Sequence, residues 1–474
     1  MDKDAYLEIN ASQRPALALF EAMGYTYISP ADCDRQRGSR YHVLLRDILR
    51  GQLRRLNRYV YAGAENEFSA ANIERAMEDL DEPLTDGLVR TSEKIYDALL
   101  LGKSYPETVG DGKMLSFNLR YIDWDNPQNN VFHVTEEFAV DSRDRQHNAR
   151  PDIVLFINGI PFVVIECKAP HIPVEEAVGQ MIRNQQAAYI PQLFKFAQFV
   201  VATNKNAVKY ATAGTPKKFW SVWKEQDADW LQPRLKALIP DRMPTEQDRN
   251  IVSLFSADRV YELIRYFILF DANVKKVCRY QQFFAVREIM KTIAESDEHG
   301  NRRSGVIWHT QGSGKSLTMV MLAKTILMEL KDCHPRVVIV TDRKELDAQI
   351  AATFAHTRLT PARATSGRHL VELVNSARAD VITSIINKFN TVERQEVKNP
   401  SRDIFVLVDE SHRSNYGLMA TRMRSVFPNA CYIGFTGTPL MKSEKNTMAR
   451  FGRLIHKYTI RDGVEDGAIV PLIY

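Results

Sequence analysis

Apolar positions along this chain recur in two ways, and the change falls near residue 250. In the first half, short apolar runs are bounded by turn formers: Asp152 to Ile157 (DIVLFI), Phe162 to Lys168 (FVVIECK) and Gln198 to Thr203 (QFVVAT). Their length and β-branched content predict buried strands. Between the first two stands Asn158-Gly159, a pair suited to the positive φ angles of a two-residue hairpin. Upstream, SFNLRYIDW, NNVFHV and EEFAV between Leu115 and Val140 predict three shorter strands extending the same sheet. Helical spacing predicts helices over Arg14–Gly24, Tyr41–Arg58 and Val174–Tyr189. The polar Pro240–Asn250 segment, with two prolines, reads as a linker. From Arg303 onward the apolar strands GVIW, RVVIVT, VITSI, IFVLVDE and CYIGFTGT alternate with helical stretches, the pattern of a parallel sheet covered on both faces. The expected organisation is therefore α/β, with domains at 1–245 and 246–474.

Composition narrows the class without choosing a function. A length of 474 residues calls for two or three cores. With 45% hydrophobic and 26% charged residues, the chain reads as soluble and globular. A net charge of +5 permits a nucleic-acid partner without requiring one. The five cysteines are scattered and never form a CxxC pair, which argues against a disulfide framework or a zinc site and for a reducing compartment. Without an N-terminal signal pattern or a run of about 18 apolar residues, the expectation is a cytoplasmic protein that does not enter a membrane. Arg46, Arg50, Arg54 and Arg58 recur every four residues; such a stripe is either a solvated helix face or a row of phosphate contacts.

Two stretches carry chemistry. The first is His309 to Ser316 (HTQGSGKS), between an apolar strand and a helical run. A loop there, with Gly312, Ser313 and Gly314, directs backbone N–H groups and a helix N-terminus at phosphate oxygens. Lys315 would reach the β and γ phosphates, and Ser316 would hold Mg2+. His309 stands where such loops usually begin with glycine. Further on, the strand IFVLVDE delivers Asp409 and Glu410 to its end, suited to holding Mg2+ and activating water. Together with Tyr280-Gln281-Gln282 and Thr436-Gly437-Thr438-Pro439, these elements resemble, in this order, the first motor domain of superfamily-two helicases and translocases. That resemblance implies a RecA-like fold and ATP as cofactor. It makes Lys315, Ser316, Asp409 and Glu410 the ATP and Mg2+ residues, Gln282 the adenine reader, and Thr436 to Pro439 the coupling segment.

The second stretch is FVVIECK. Glu166 and Lys168 share one face of a strand, and the Asn158-Gly159 hairpin returns Asp152 beside them. Charges on so apolar a strand are costly unless they are paired or bind a metal. The array RPD-x13-ECK resembles the P-D...E-x-K core of restriction-endonuclease-like nucleases. In that core Asp152 and Glu166 hold a divalent metal, and Lys168 stabilises charge growing on a phosphate.

A nuclease core preceding a motor resembles the restriction (R) subunit of type I restriction-modification enzymes, through RPDIVLFINGIPFVVIECKAP, RYQQFFAV, HTQGSGKS, VTDRKELDAQI, VDESHRS and FTGTP. The resemblance implies ATP-dependent translocation of duplex DNA and Mg2+-dependent cleavage away from the recognised sequence, with methyltransferase (M) and specificity (S) subunits as partners. It also implies a glutamine-x3-tyrosine pair on the helix after Lys168. Gln185 and Tyr189 fit that spacing, while Gln180 lies nearer Lys168 but has Asn184 in the tyrosine place. Because the sequence ends soon after the first motor domain, a fragment that lacks the second and does not turn over ATP is expected. A stand-alone helicase-nuclease of DNA repair, and a DNA-tracking module with silent carboxylates, are the other readings.

Overall fold

The computed structural model describes residues 8–341, 361–376, 379–385, 398–409, 416–437 and 451–468. The chain divides into two compact units, Met1–Ile268 with Asn273–Val277, and Leu269–Ala272 with Cys278–Tyr474.

In the first unit a six-stranded sheet is built from β1 (Thr26–Tyr27), β2 (Phe132–Glu136), β3 (Ile153–Ile157), β4 (Ile160–Cys167), β5 (Phe199–Asn204) and β6 (Ala207–Ala211), in that spatial order. β3 and β4 are buried along their whole length, as their continuous apolar runs require. The hairpin between them turns on Asn158 (φ 53°) and Gly159 (φ 83°), the left-handed pair expected of Asn-Gly. A Cβ on Gly159 would sit 2.6 Å from the Leu45 carbonyl oxygen. Helix α1 (Arg14–Ala22) packs on β2 in this unit.

Several expectations change. Lys113–Leu119 pairs with Lys103–Val109 in a separate hairpin, so only one of the three upstream strands, β2, joins the main sheet. Helix α2 (Arg46–Leu56) ends before Arg58, which lies in a strand. Glu74 takes Arg46 and Arg50, Asp47 also takes Arg50, and Glu67 takes Arg58, so three of the four arginines are ion-paired within the protein. Helix α3 stops at Val174–Asn184 rather than continuing to Tyr189. A turn in which the Ile190 N–H donates to the Asn184 carbonyl (3.1 Å) precedes Pro191, and proline disfavours helix in the residue before it.

The polar stretch read as a linker is a helix start. Thr245 and Asp248 form a capping box on α4 (Glu246–Phe255), Arg242 donates to Asp248 (2.8 Å), and Gln247 donates to the Ser12 carbonyl (2.8 Å). Both α4 and α5 (Ala257–Phe267) belong to the first unit, so the division at 245/246 moves to about residue 268. The polarity there serves capping and burial.

In the second unit α6 (Tyr280–Ala294) precedes a sheet of seven parallel strands. They are β7 (Gly305–His309), β8 (Arg336–Thr341), β9 (Pro361–Arg363), β10 (Val381–Ile385), β11 (Ile404–Val408), β12 (Cys431–Thr436) and β13 (Arg453–Tyr458), in the order β9-β10-β8-β11-β12-β7-β13. All five predicted strands are present. The two edge strands, β9 and β13, are additions: one has three residues, and the other (RLIHKY) is too polar to read as a buried run.

Candidate functional site

β3 and β4 pair with Ile153 opposite Ile165, which places Asp152 beside Glu166. Asp152 lies at the entry to β3, where its Oδ2 accepts the Cys167 N–H at 2.6 Å. Glu166 is 1% exposed and Asp152 7%. The Lys168 ammonium donates to Glu166 Oε1 at 3.1 Å and to the Cys167 carbonyl at 2.9 Å. The three residues read from the sequence therefore meet in one place.

The electrostatics are those of a charged site held in an apolar sheet. Burial, with Asp152 beside it, pushes the Glu166 carboxyl up to about 8 against the opposing pull of Lys168. Burial likewise raises Asp152 to about 6, although the Cys167 N–H and Lys168 favour its charged form. Burial works against the Lys168 ammonium too, but Glu166, Glu8 and Asp152 together keep its pKa above the ordinary lysine value. Glu166 Oε2 is buried without a hydrogen-bond partner. An orphaned carboxylate oxygen beside a second carboxylate fits a divalent cation. Among the described residues no cluster of three or more His, Cys, Asp or Glu side chains is arranged for a metal. Two carboxylates suit Mg2+ in particular, which takes one or two from the protein and keeps waters and substrate oxygens for the rest.

The sequence reading missed the surroundings of this pair. A cavity of about 550 Å3 opens on Asp152 and is lined also by Glu8, Gln13, Glu136, Glu137 and Arg150. Glu8 approaches Lys168 Nζ at 3.7 Å, and Gln13 donates to Glu137 at 3.1 Å. No spacing rule marks Glu8, because its proximity arises from the fold.

The two glutamine candidates separate. Gln185 caps α3: its amide donates to the Met181 carbonyl (3.0 Å), and its Oε1 accepts from the Gly214 N–H (2.7 Å). Gln180 instead lines a second cavity together with Asn184 and Tyr189. The i,i+4 pairing of Gln185 with Tyr189 on one helix fails because the helix has ended.

In the second unit the phosphate-type loop leaves β7 and enters α7 (Lys315–Glu329). Gly312 (φ 83°) and Gly314 (φ 87°) hold left-handed conformations, which only glycine adopts without strain. A Cβ on Gly314 would lie 2.6 Å from Gln282 Nε2, and one on Gly437 would lie 2.9 Å from Lys315 Nζ. Lys315 Nζ donates to the His309 carbonyl at 3.3 Å. Ser313 is buried and donates to the Thr310 carbonyl at 2.7 Å, a structural bond within the turn, whereas Ser316 is part-exposed in the first helical turn. Gln282 braces the loop, accepting from the Arg279 N–H (2.8 Å) and donating to the Gly314 carbonyl (3.1 Å).

The absence of a glycine at His309 also has a cause. Its imidazole Nε2 lies 2.9 Å from His456 Nδ1 on the adjacent strand β13. Burial and the neighbouring His456 and Lys315 hold the His309 pKa well below the usual histidine value. The position is a neutral strut between strands, and the loop begins after it. Asp409 follows β11 and is buried, and Thr436 ends β12 opposite Trp308 of β7. Loop, Asp409, Thr436 and Gly437 therefore gather at the carboxyl edge of one parallel sheet, where ligands of open α/β sheets bind. Glu410 and Thr438 lie outside the described residues.

Comparison with known proteins covers both units. Residues 5–219 match the family model described as type I restriction enzyme R protein N terminus. Residues 281–474 match that of the SWI2/SNF2 ATPases. The type I restriction enzyme HindI endonuclease subunit of Haemophilus influenzae is 31% identical over 83% of this chain and 40% of its own length. A putative type I restriction enzyme endonuclease subunit, MjaIXP of Methanocaldococcus jannaschii, is 28% identical over 100% of this chain and 46% of its own. The chain thus spans less than half the length of these curated relatives. A fragment of a putative HsdR subunit of a type I restriction enzyme from Vibrio vulnificus is 16% identical, with a TM-score of 0.31, over 71% of this chain and 56% of that one. Among the described residues no helix is long and apolar enough to cross a membrane.

Proposed function

We propose, for this member of the type I restriction R-protein family, that the first unit is a Mg2+-dependent DNA endonuclease and the second an ATP-binding motor domain. The observation that carries the nuclease reading is the buried Asp152–Glu166 pair with its orphaned oxygen and Lys168 bonded to it. Asp152 and Glu166 would hold the cation, and when bound it supplies Lewis-acid activation of water and of a phosphoryl oxygen. The protein's own part is positioning and charge. The Cys167 N–H fixes the Asp152 carboxylate. The Lys168 ammonium, part-buried beside Glu166, would stabilise negative charge developing on a phosphate, where a low dielectric strengthens the interaction.

In the second unit the Gly312 and Gly314 backbone, Lys315 and Ser316 would bind the ATP phosphates and Mg2+, with Asp409 and Glu410 completing the metal and water sites. Gln282 would brace the loop while reading adenine. The whole enzyme would couple ATP hydrolysis to movement of duplex DNA and cut away from the recognised sequence, in assembly with M and S subunits in the cytoplasm.

Glu166→Ala in the whole restriction subunit, reconstituted with M and S subunits, tests the site. DNA cleavage is expected to fall by at least about 10²-fold while translocation and DNA-stimulated ATP hydrolysis persist. Undiminished cleavage would remove Glu166 from the chemistry.

A further inference from the structure

Beside the carboxylate site lies a second cavity, of about 480 Å3, whose arginine lining no spacing in the sequence marks. Its wall carries three guanidinium groups, Arg40, Arg150 and Arg183, and one acid, Asp141. Arg150 stands two residues before Asp152 and borders both cavities. Two of the arginines are ion-paired: Arg40 Nε donates to Asp34 at 3.0 Å, and Arg150 Nε approaches Glu137 at 2.7 Å. The third, Arg183, is exposed and lies 5.6 Å from the centroid of the Tyr189 ring. Tyr189 in turn stacks on His147, with ring centroids 5.2 Å apart and planes 28° from parallel.

One further atom decides what such a pocket suits. Asn184 is 2% exposed, lines the cavity, and has a side-chain oxygen with no hydrogen-bond partner. A buried amide oxygen left unsatisfied costs on the order of 1–3 kcal/mol, so it marks a position that a ligand donor would fill. Sulfate or chloride would satisfy the arginines but has no donor to offer this oxygen, and inorganic phosphate, whose P–OH can donate, has no π face for the aromatic pair. A nucleotide has both parts: phosphate oxygens for the guanidinium forks, and base N–H groups with a π face for the asparagine and the aromatic pair.

We infer that the cavity formed by Arg40, Arg150, Arg183, Asn184 and Tyr189 is a nucleotide subsite, seating one residue of the DNA strand beside the phosphate that Asp152 and Glu166 address. The inference rests on the nuclease reading of that pair. Arg150 links the two places, because a strand lying across it passes from one cavity into the other. The subsite holds the strand by phosphate and base together and keeps the scissile phosphate in register with the carboxylates.

The test uses the chain with Glu166→Gln, so that binding is read without cleavage, and a fluorescein-labelled 20-base-pair DNA followed by anisotropy in a salt titration. Arg183→Ala in that background is expected to weaken binding by about 3–10-fold and to flatten the slope of log affinity against log salt by about 1, the signature of one lost phosphate contact. Arg183→Lys should restore the slope while recovering only part of the affinity. Asn184→Ala is expected to weaken binding by about 3–10-fold with the salt slope intact, and circular dichroism reports whether that variant folds. Unchanged affinity and slope in Arg183→Ala would overturn the subsite, since this exposed residue can be changed without unfolding the unit. Failure of the nuclease reading shows separately, as equal DNA cleavage with and without Glu166→Gln.

Discussion

In the proposed reading, the two candidate sites would meet the same need, holding phosphate chemistry, with opposite materials. Around Asp152 and Glu166 the protein buries ionisable side chains on an apolar strand and pushes both carboxyls above their ordinary values. Around Lys315 the cradle is backbone, shaped by Gly312 and Gly314 in left-handed conformations and by a helix N-terminus. The first arrangement is electrostatically costly, and either a proton or a bound cation relieves it. The second holds most of its positive potential in N–H dipoles that exist with or without ligand. The first site should therefore respond to charge changes and pH, and the second to the shape of a few residues.

The largest expected effect separates the two at once. Lys168→Ala removes the ammonium that partly counters the rise of Glu166, and DNA cleavage should fall by about 10²–10³-fold, with nucleotide affinity unchanged. Lys315→Ala should do the reverse, weakening binding of a fluorescent ATP analogue by at least about 10-fold, or about 1.4 kcal/mol, while leaving metal-dependent cleavage of short DNA intact. If either substitution damages both activities equally in folded protein, the two sites are not separate machines. Gly314→Ala sharpens the shape argument with no change of charge. The strain of a Cβ at φ 87°, costing about 1–2 kcal/mol, together with the collision with Gln282 Nε2, should lower ATP-analogue affinity by about 10-fold. A variant that binds normally would show that the loop tolerates a wider range of backbone than this structure uses.

The same contrast explains what the sequence disclosed. Asp152, Glu166 and Lys168 were legible because strand periodicity and an Asn-Gly hairpin convert spacing directly into proximity. The loop was legible because its left-handed backbone itself requires the glycines. The arginine cavity and Glu8 were not, since their neighbours come from segments far apart in sequence and no local period records them. Tyr189 was placed on the preceding helix because its apolar arc continues past Asn184, and only the turn before Pro191 breaks it. The polar run at 240–250 misled for a related reason: composition alone does not distinguish polarity used in a capping box from polarity in a flexible linker.

The smallest expected effect is one of stability, and its sign follows from the raised carboxyls. Unfolded, Asp152 and Glu166 would titrate near their ordinary values of 3.8 and 4.5; folded, they titrate near 6 and 8. Between about pH 4 and pH 8 the folded state therefore binds more protons than the unfolded one, and stability falls as pH rises through that window. The contribution is fully present below the unfolded values and lost above the folded ones. Glu166→Gln removes the larger of the two titrations and the repulsion that helps to raise Asp152. Its melting temperature should exceed that of the unmodified chain by about 2–6 °C at pH 8, with the gap closing towards pH 5. Mg2+ should raise the melting temperature of the unmodified chain at pH 8 and have little effect on Glu166→Gln. Parallel melting curves for the two proteins from pH 5 to pH 8 would mean that the carboxylates are not strained by their burial, and the contrast between a costly side-chain site and a ready backbone site would fail at its first term.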